Sequence, residues 1–140
     1  MSSSLNSCRV LVVDDNAIIR RAVAKIFRRS SYPVTEAANS IEAVDLVCQE
    51  HYDLVMSDFD MPVYNGYQLA CRVKQRNAAS KVVIITGSIT PQITKHIDCG
   101  EVDEWLFKPF GLQGISNLMT KLGLPNAFEP LLDQMQAAAR

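Results

Sequence analysis

Five polar residues could carry chemistry in this sequence: Asp14, Asp15, Asp58, Thr86 and Lys108. Each sits at the end of a short apolar run. Asp14 and Asp15 follow the run that ends at Val13, Asp58 follows Ser57, Thr86 closes the run from Lys81, and Lys108 follows Phe107. Three carboxylates gathered in one place repel one another unless a cation neutralises them. A hard divalent cation with oxygen ligands would do so, and Mg²⁺ is the usual one where phosphate also binds, with Mn²⁺ as a substitute. A lysine ammonium and a threonine hydroxyl suit phosphoryl oxygens, one as a point charge and the other as a hydrogen-bond donor. A carboxylate can also attack phosphorus and form an acyl phosphate, the role that falls to Asp58. Singly, each residue has a plainer explanation. An Asp after a strand commonly caps a helix or turns a loop, Thr86 could simply end a strand, and Lys108 before Pro109 could be a solvated loop lysine. Separate plain explanations do not account for all five occupying strand ends.

Strand ends form one site only if the strands run parallel, and the chain's patterning predicts this. Short β-branched runs at Arg9 to Val13, Pro33 to Glu36, Asp53 to Ser57, Lys81 to Thr86 and Asp103 to Phe107 read as strands. Helix-period segments separate them. Ile19, Ala22, Val23, Ile26 and Phe27 mark one inward face, with Arg20, Arg21, Lys25 and Arg28 between them. Those basic residues are read as a solvated helix face that could also dock a partner. Asn39 and Glu42 resemble a capping box that opens a helix through Ala43, Val44 and Val47. Gly66 opens a third helix, with Leu69, Ala70 and Val73 inward. Pro91 to Asp98 is expected to be a short, weak helix because it is rich in β-branched residues. Leu112, Ile115, Met119 and Leu122 mark the last helix, ending at Gly123. Five β-α units imply an α/β fold, a parallel sheet covered by helices on both faces. In such sheets ligands bind at the carboxyl edge of the strands.

The 140 residues, 48% apolar and 21% charged, fit one soluble domain with one core. A net charge of −1 favours neither nucleic acid nor a membrane surface as partner. No apolar run approaches the roughly 20 residues of a membrane span. The polar start, Met1 to Ser7, does not read as a signal peptide. The four cysteines, at 8, 48, 71 and 99, lack metal-site spacing and are read as reduced, mostly buried thiols of a cytoplasmic protein. Residues 1–8 are expected to be disordered, 9–123 to form the domain, and 124–140 to be a tail. That tail could form one amphipathic helix through Leu131, Leu132 and Met135 and is too short for an output domain.

From about Arg9 to Gly123 the chain resembles the receiver domain of two-component response regulators. The matching pieces are LVVDDN with Asp14 and Asp15, SDFDMPVYNG with Asp58, Met61, Pro62 and Gly66, VIITGS with Thr86, and WLFKPF with Lys108, Pro109 and Phe110. The spacings also match: 43 residues from Asp15 to Asp58, 28 on to Thr86 and 22 on to Lys108. The resemblance implies a doubly wound, flavodoxin-like five-stranded parallel sheet with strand order 2-1-3-4-5. It implies a stand-alone signalling switch with self-phosphorylation and autodephosphorylation chemistry, rather than a turnover enzyme. Asp58 would accept a phosphoryl group from the phosphohistidine of a histidine kinase or histidine phosphotransfer protein. Asp14, Asp15, Asp58 and the backbone carbonyl of Asp60 would hold Mg²⁺, and Thr86 and Lys108 would bind the phosphoryl group. Phosphorylation would draw Thr86 inward and let Trp105, three residues before the lysine, change place. A downstream effector protein would read the altered surface, with neither nucleic acid nor membrane bound directly. Asp60 and Ser88 flank the expected path of attacking water and would tune the lifetime of the phosphoaspartate.

Three other readings compete. A haloacid-dehalogenase-like phosphatase is suggested by Asp58-Phe59-Asp60, but its motif belongs near the N-terminus, a Thr is expected at Pro62, and its second acidic pair should follow the lysine. A flavodoxin-like binding module would need a phosphate-cradling Ser/Thr/Gly loop where Asp14 and Asp15 stand. A receiver that only binds partners is disfavoured because all five positions are filled.

Overall fold

The computed structural model describes residues 8–139. The elements run β1 (Val10–Val13), α1 (Ala17–Arg29), β2 (Val34–Ala37), α2 (Ser40–Gln49), β3 (Leu54–Asp58), α3 (Gly66–Arg76), β4 (Lys81–Thr86), α4 (Pro91–Thr94), β5 (Glu104–Phe107), α5 (Leu112–Lys121) and α6 (Glu129–Ala138). The five strands form one sheet in the order β2-β1-β3-β4-β5, and every pairing is parallel. The flavodoxin-like order that the resemblance implies is the order found.

Strands β1, β3 and β4 are apolar on both faces because both faces are covered. Val10 and Val12, Leu54 and Met56, and Val83 and Ile85 enter one core with Phe27, Ile115 and Met119. Leu11 and Val13, Val55, and Val82 and Ile84 enter a second core with Leu69, Val73 and Ile93. The first core is closed by α1 and α5, the second by α2, α3 and α4. Ala22, read as inward, is exposed, and Ala24 takes the buried position.

Side-chain oxygens close the N-terminal ends of the first four helices. The Asn16 carbonyl oxygen accepts from the Ile18 and Ile19 amides, Asn39 from the Glu42 amide and Thr90 from the Ile93 amide. The Glu42 carboxylate accepts from the Ala38 amide, one residue earlier than a capping box requires. The full box is at Asn65 and Gln68, at the start of α3. The weak helix expected at Pro91 to Asp98 shortens to the four residues of α4, and turns follow it.

Both domain boundaries differ from expectation. Residues 1–7 of the expected disordered segment lie outside the described residues, but Cys8 is 2% exposed and belongs to the first core. At the other end the packed domain continues past Gly123. Gly123 has φ +70°, its amide donates to Thr120 O, and the Leu124 amide donates to Met119 O. This is a Schellman stop, and its left-handed residue turns the chain back onto the core. Phe128 is then fully buried, 5.2 Å from the Tyr32 ring in a stacked pair and 5.4 Å from Phe27 edge-on. The Tyr32 hydroxyl donates to Pro125 O and accepts from the Ala127 amide. The tail is therefore anchored, and only α6 beyond Phe128 stands on the surface, with Leu131 and Met135 exposed. Of the cysteines only Cys8 is buried; Cys48 is exposed, and Cys71 and Cys99 are half-buried.

Candidate functional site

The carboxyl edge of the sheet brings the acids together. β1 delivers Asp14 and Asp15, and β3 ends on Asp58. One carboxylate oxygen from each lies within 4.8 Å of the other two. Asp14 is 5% exposed, Asp58 is half-buried and Asp15 faces solvent. Asp14 is held closely: its amide donates to Ala37 O at 3.2 Å, its Oδ1 accepts from the Asn16 amide at 2.9 Å, and its carbonyl accepts from Arg20 Nη1 at 3.0 Å.

Crowding leaves an electrostatic trace. Burial first, and then the charges of Asp14 and Asp60, push the Asp58 carboxyl up to about 6, against the pull of Lys108 and the Phe59 amide. Asp14 is also raised, chiefly by burial and further by Asp15, while the Asn16 amide and Lys108 oppose the shift. The Lys108 ammonium thus acts on both carboxylates. Its backbone is fixed to β4, where the Lys108 amide donates to Thr86 O at 2.8 Å, and the Lys108–Pro109 peptide is cis. An underneutralised cluster of oxygen donors fits a hard divalent cation.

The glycine after Asn65 has a packing reason. A Cβ on Gly66 would stand 2.8 Å from Asp58 O, 2.9 Å from Ile84 Cδ1 and 3.0 Å from Phe59 Cα. The first turn of α3 thus presses on the strand end that carries Asp58, and the Gly66 amide donates to Phe59 O at 2.8 Å.

Residues 10–120 match the family model described as the response regulator receiver domain. The chain belongs to that family. Similar proteins include the two-component response regulator ORR6 of Oryza sativa subsp. japonica, 31% identical over 119 residues, which cover 81% of this chain and 69% of that one. Other curated relatives are longer: the chain spans 53% of a probable transcriptional regulator of Pyropia yezoensis and 43% of ResD from Bacillus subtilis. Among solved structures, the response regulator TrrA from Thermotoga maritima in complex with Mg²⁺ and BeF is 26% identical with a TM-score of 0.72, covering 82% of this chain and 98% of that one. The chemotaxis response regulator CheY4 of Vibrio cholerae, at 24% identity and TM-score 0.75, shares the fold across 84% of this chain and 99% of its own.

The other residues expected at the site lie on β4, β5 and the loops that follow β3 and β4. Thr86 is 3% exposed, and its hydroxyl donates to Ser88 O at 3.0 Å. Ser88 and Asp60 are exposed on the loops after β4 and β3. Trp105 stands on β5 opposite Ile84 and packs against the second core, its ring 6.2 Å from that of Phe59. Its indole Nε1 is buried with no hydrogen-bond partner among the described residues. Sequence reading missed Asn16 and Arg20 as neighbours of the site. Asn16 carried a legible signal, a capping residue just before an apolar helical period. Arg20 carried none, since any basic residue on an amphipathic helix looks solvated.

Proposed function

We propose that this receiver is a phosphorylation switch whose acceptor is Asp58. The observation that carries the reading is the convergence of three strand-end carboxylates within 4.8 Å, beside a lysine that acts on two of them. Asp14, Asp15, Asp58 and the carbonyl of Asp60 would hold Mg²⁺ or Mn²⁺, which when bound neutralises the acids and the incoming phosphoryl oxygens. A free Asp58 oxygen attacks phosphorus, the bond from phosphorus to the donor imidazole breaks, and the imidazole leaves with its electron pair. Lys108 and the Thr86 hydroxyl receive the phosphoryl oxygens. Water later cleaves the acyl phosphate, at a rate set by Asp60 and Ser88. The donor is a phosphohistidine of a histidine kinase or phosphotransfer protein in the cytoplasm. The only chemistry beyond transfer is self-phosphorylation and autodephosphorylation.

Phosphorylation adds roughly 1.5 to 2 negative charges and new acceptors. Thr86 then exchanges its bond to Ser88 O for one to a phosphoryl oxygen. The space it vacates changes the fit of Trp105, whose unpartnered indole N–H gives it little polar attachment to its present position. The face of α4, β5 and α5, with Ile89 and Phe107 exposed, alters for an effector protein. Among the described residues no helix is long and apolar enough to cross a membrane.

The test is incubation with Mg²⁺ and acetyl phosphate, read by intact mass and Trp105 fluorescence, with Asp58→Asn as control. One phosphoryl adduct on the wild type and none on the variant supports the reading. No adduct on the wild type, with donor and cation in excess, overturns it in favour of a receiver that binds partners without phosphorylation.

A further inference from the structure

Arg20 is placed to do more than solvate a helix. Its Nη1 donates to the carbonyl of Asp14 at 3.0 Å, and its Nε donates to Glu36 Oε1 at 3.2 Å. The bonds of Asp14 to Ala37 O and to the Asn16 amide involve backbone partners, whereas this one comes from a side chain of α1. The Asp14 carbonyl and the Asp15 amide belong to one planar peptide. Fixing that carbonyl therefore fixes the direction in which the chain leaves Asp14, and with it where exposed Asp15 can put its carboxylate. Without such a tie, mutual repulsion among the acids favours an opened turn.

The brace is itself anchored. Glu36 lies on β2 opposite Val12, two residues before Asp14. Its second oxygen accepts from Arg28 Nη1 at 2.7 Å, and the two guanidiniums, Arg28 foremost, hold Glu36 below its ordinary value, so it stays charged. The Arg20 side chain is 13% exposed and that of Arg28 is 49% exposed, so water screens the inner bond less. A guanidinium presents its donors in a fixed fork and can meet both acceptors, whereas an ammonium is a point charge without that geometry.

We propose that Arg20 is a positioning residue for the acid cluster: by locking the Asp14–Asp15 peptide against β2 it sets the affinity for the divalent cation. This rests on the reading of Asp14, Asp15 and Asp58 as the cation's ligands. The competing explanation is that Arg20 and Glu36 only fasten α1 to β2. Arg28 separates the two ideas. It shares Glu36, but its other bond goes to Val34 O at 3.2 Å, at the opposite end of the strand from the acids.

The test is a Mg²⁺ titration of the full chain, read by Trp105 fluorescence and independently by the rise in melting temperature. Arg20→Ala should weaken binding roughly tenfold, the lower end for loss of an outer-shell partner, with Arg20→Lys in between and Arg28→Ala at the wild-type value. Saturating Mg²⁺ should restore acetyl-phosphate labelling of Arg20→Ala, because affinity rather than the acceptor is impaired. Should Arg20→Ala fail to fold, Arg20→Lys and Glu36→Gln carry the same comparison with Arg28→Ala. Wild-type affinity in the Arg20 variants, or an equal loss in Arg28→Ala, overturns the proposal. A wild type that responds to Mg²⁺ in neither readout overturns the cation reading itself, a separate result from the other two.

Discussion

Replacing Asp58 by asparagine should make the metal-free protein more stable at neutral pH, although it removes the residue on which the proposed function depends. An unfolded Asp titrates near 3.8, whereas the folded Asp58 carboxyl is pushed up to about 6, mainly by burial and by Asp14. A group raised in the folded state leaves stability intact below its unfolded value and takes it away as pH climbs through the folded one. The wild type therefore loses stability between about pH 4 and pH 7, and the variant, with nothing to ionise there, does not. A rise of about two units corresponds to roughly 3 kcal/mol at 1.36 kcal/mol per unit. Solvent screening at the half-open rim reduces this to about 1–2 kcal/mol. Urea unfolding in EDTA at pH 4 and pH 7.5 measures the gap. It should be near zero at the lower pH and reach that size at the higher, the variant being the more stable. Adding Mg²⁺ should narrow or reverse the gap, because the wild type gains more from the cation. A variant less stable than wild type at pH 7.5 without metal, or a gap that ignores pH, would refute the account of Asp58 as an unwillingly charged group.

Three further perturbations test the frame around the site. Gly66→Ala puts a methyl group against Asp58 O, which is backbone and cannot swing aside; overpacking of this kind costs roughly 2 kcal/mol, checked by urea midpoint, and should also weaken labelling of Asp58. Ser31, just past the C-cap of α1, has φ 65°, so Ser31→Gly should raise stability by about 1 kcal/mol by removing the left-handed penalty, read as a higher melting temperature. Phe128→Ala should cost about 3 kcal/mol, since it empties a fully buried aromatic site between Tyr32 and Phe27; an unchanged urea midpoint would show that the tail does not belong to the domain.

The parts of the fold legible in advance were those with a strong local signal. Val82 to Ile85 and Leu54 to Met56 are short and apolar throughout, which fits strands of a doubly covered sheet, and strand connectivity then carried Asp14, Asp15, Asp58, Thr86 and Lys108 to one edge. What escaped notice depends on partners distant in sequence. Phe128 is core because Gly123 turns the chain back and Tyr32 receives it, and no periodicity in residues 124–128 announces that. Cys48 and Cys71 lie on α2 and α3, yet a helix has an outward side, and composition alone did not tell which side they take. Arg20 and Arg28 are identical in type and two turns apart, and only their different second acceptors tell a brace from a clasp.

The sheet also partitions what spectroscopy can observe. Trp105 and Phe59 lie in the core closed by α2, α3 and α4, whereas Tyr32, Phe27 and Phe128 lie in the core closed by α1 and α5. The one tryptophan therefore senses a single compartment, and damage around Phe128 reaches it only through the strands. Tryptophan emission and far-ultraviolet circular dichroism that lose their signals together in urea would mean that the shared strands bind the two compartments into one cooperative unit. Tryptophan emission that persists after helical signal has fallen would locate the weaker compartment on the side of α1, α5 and the C-terminal helix.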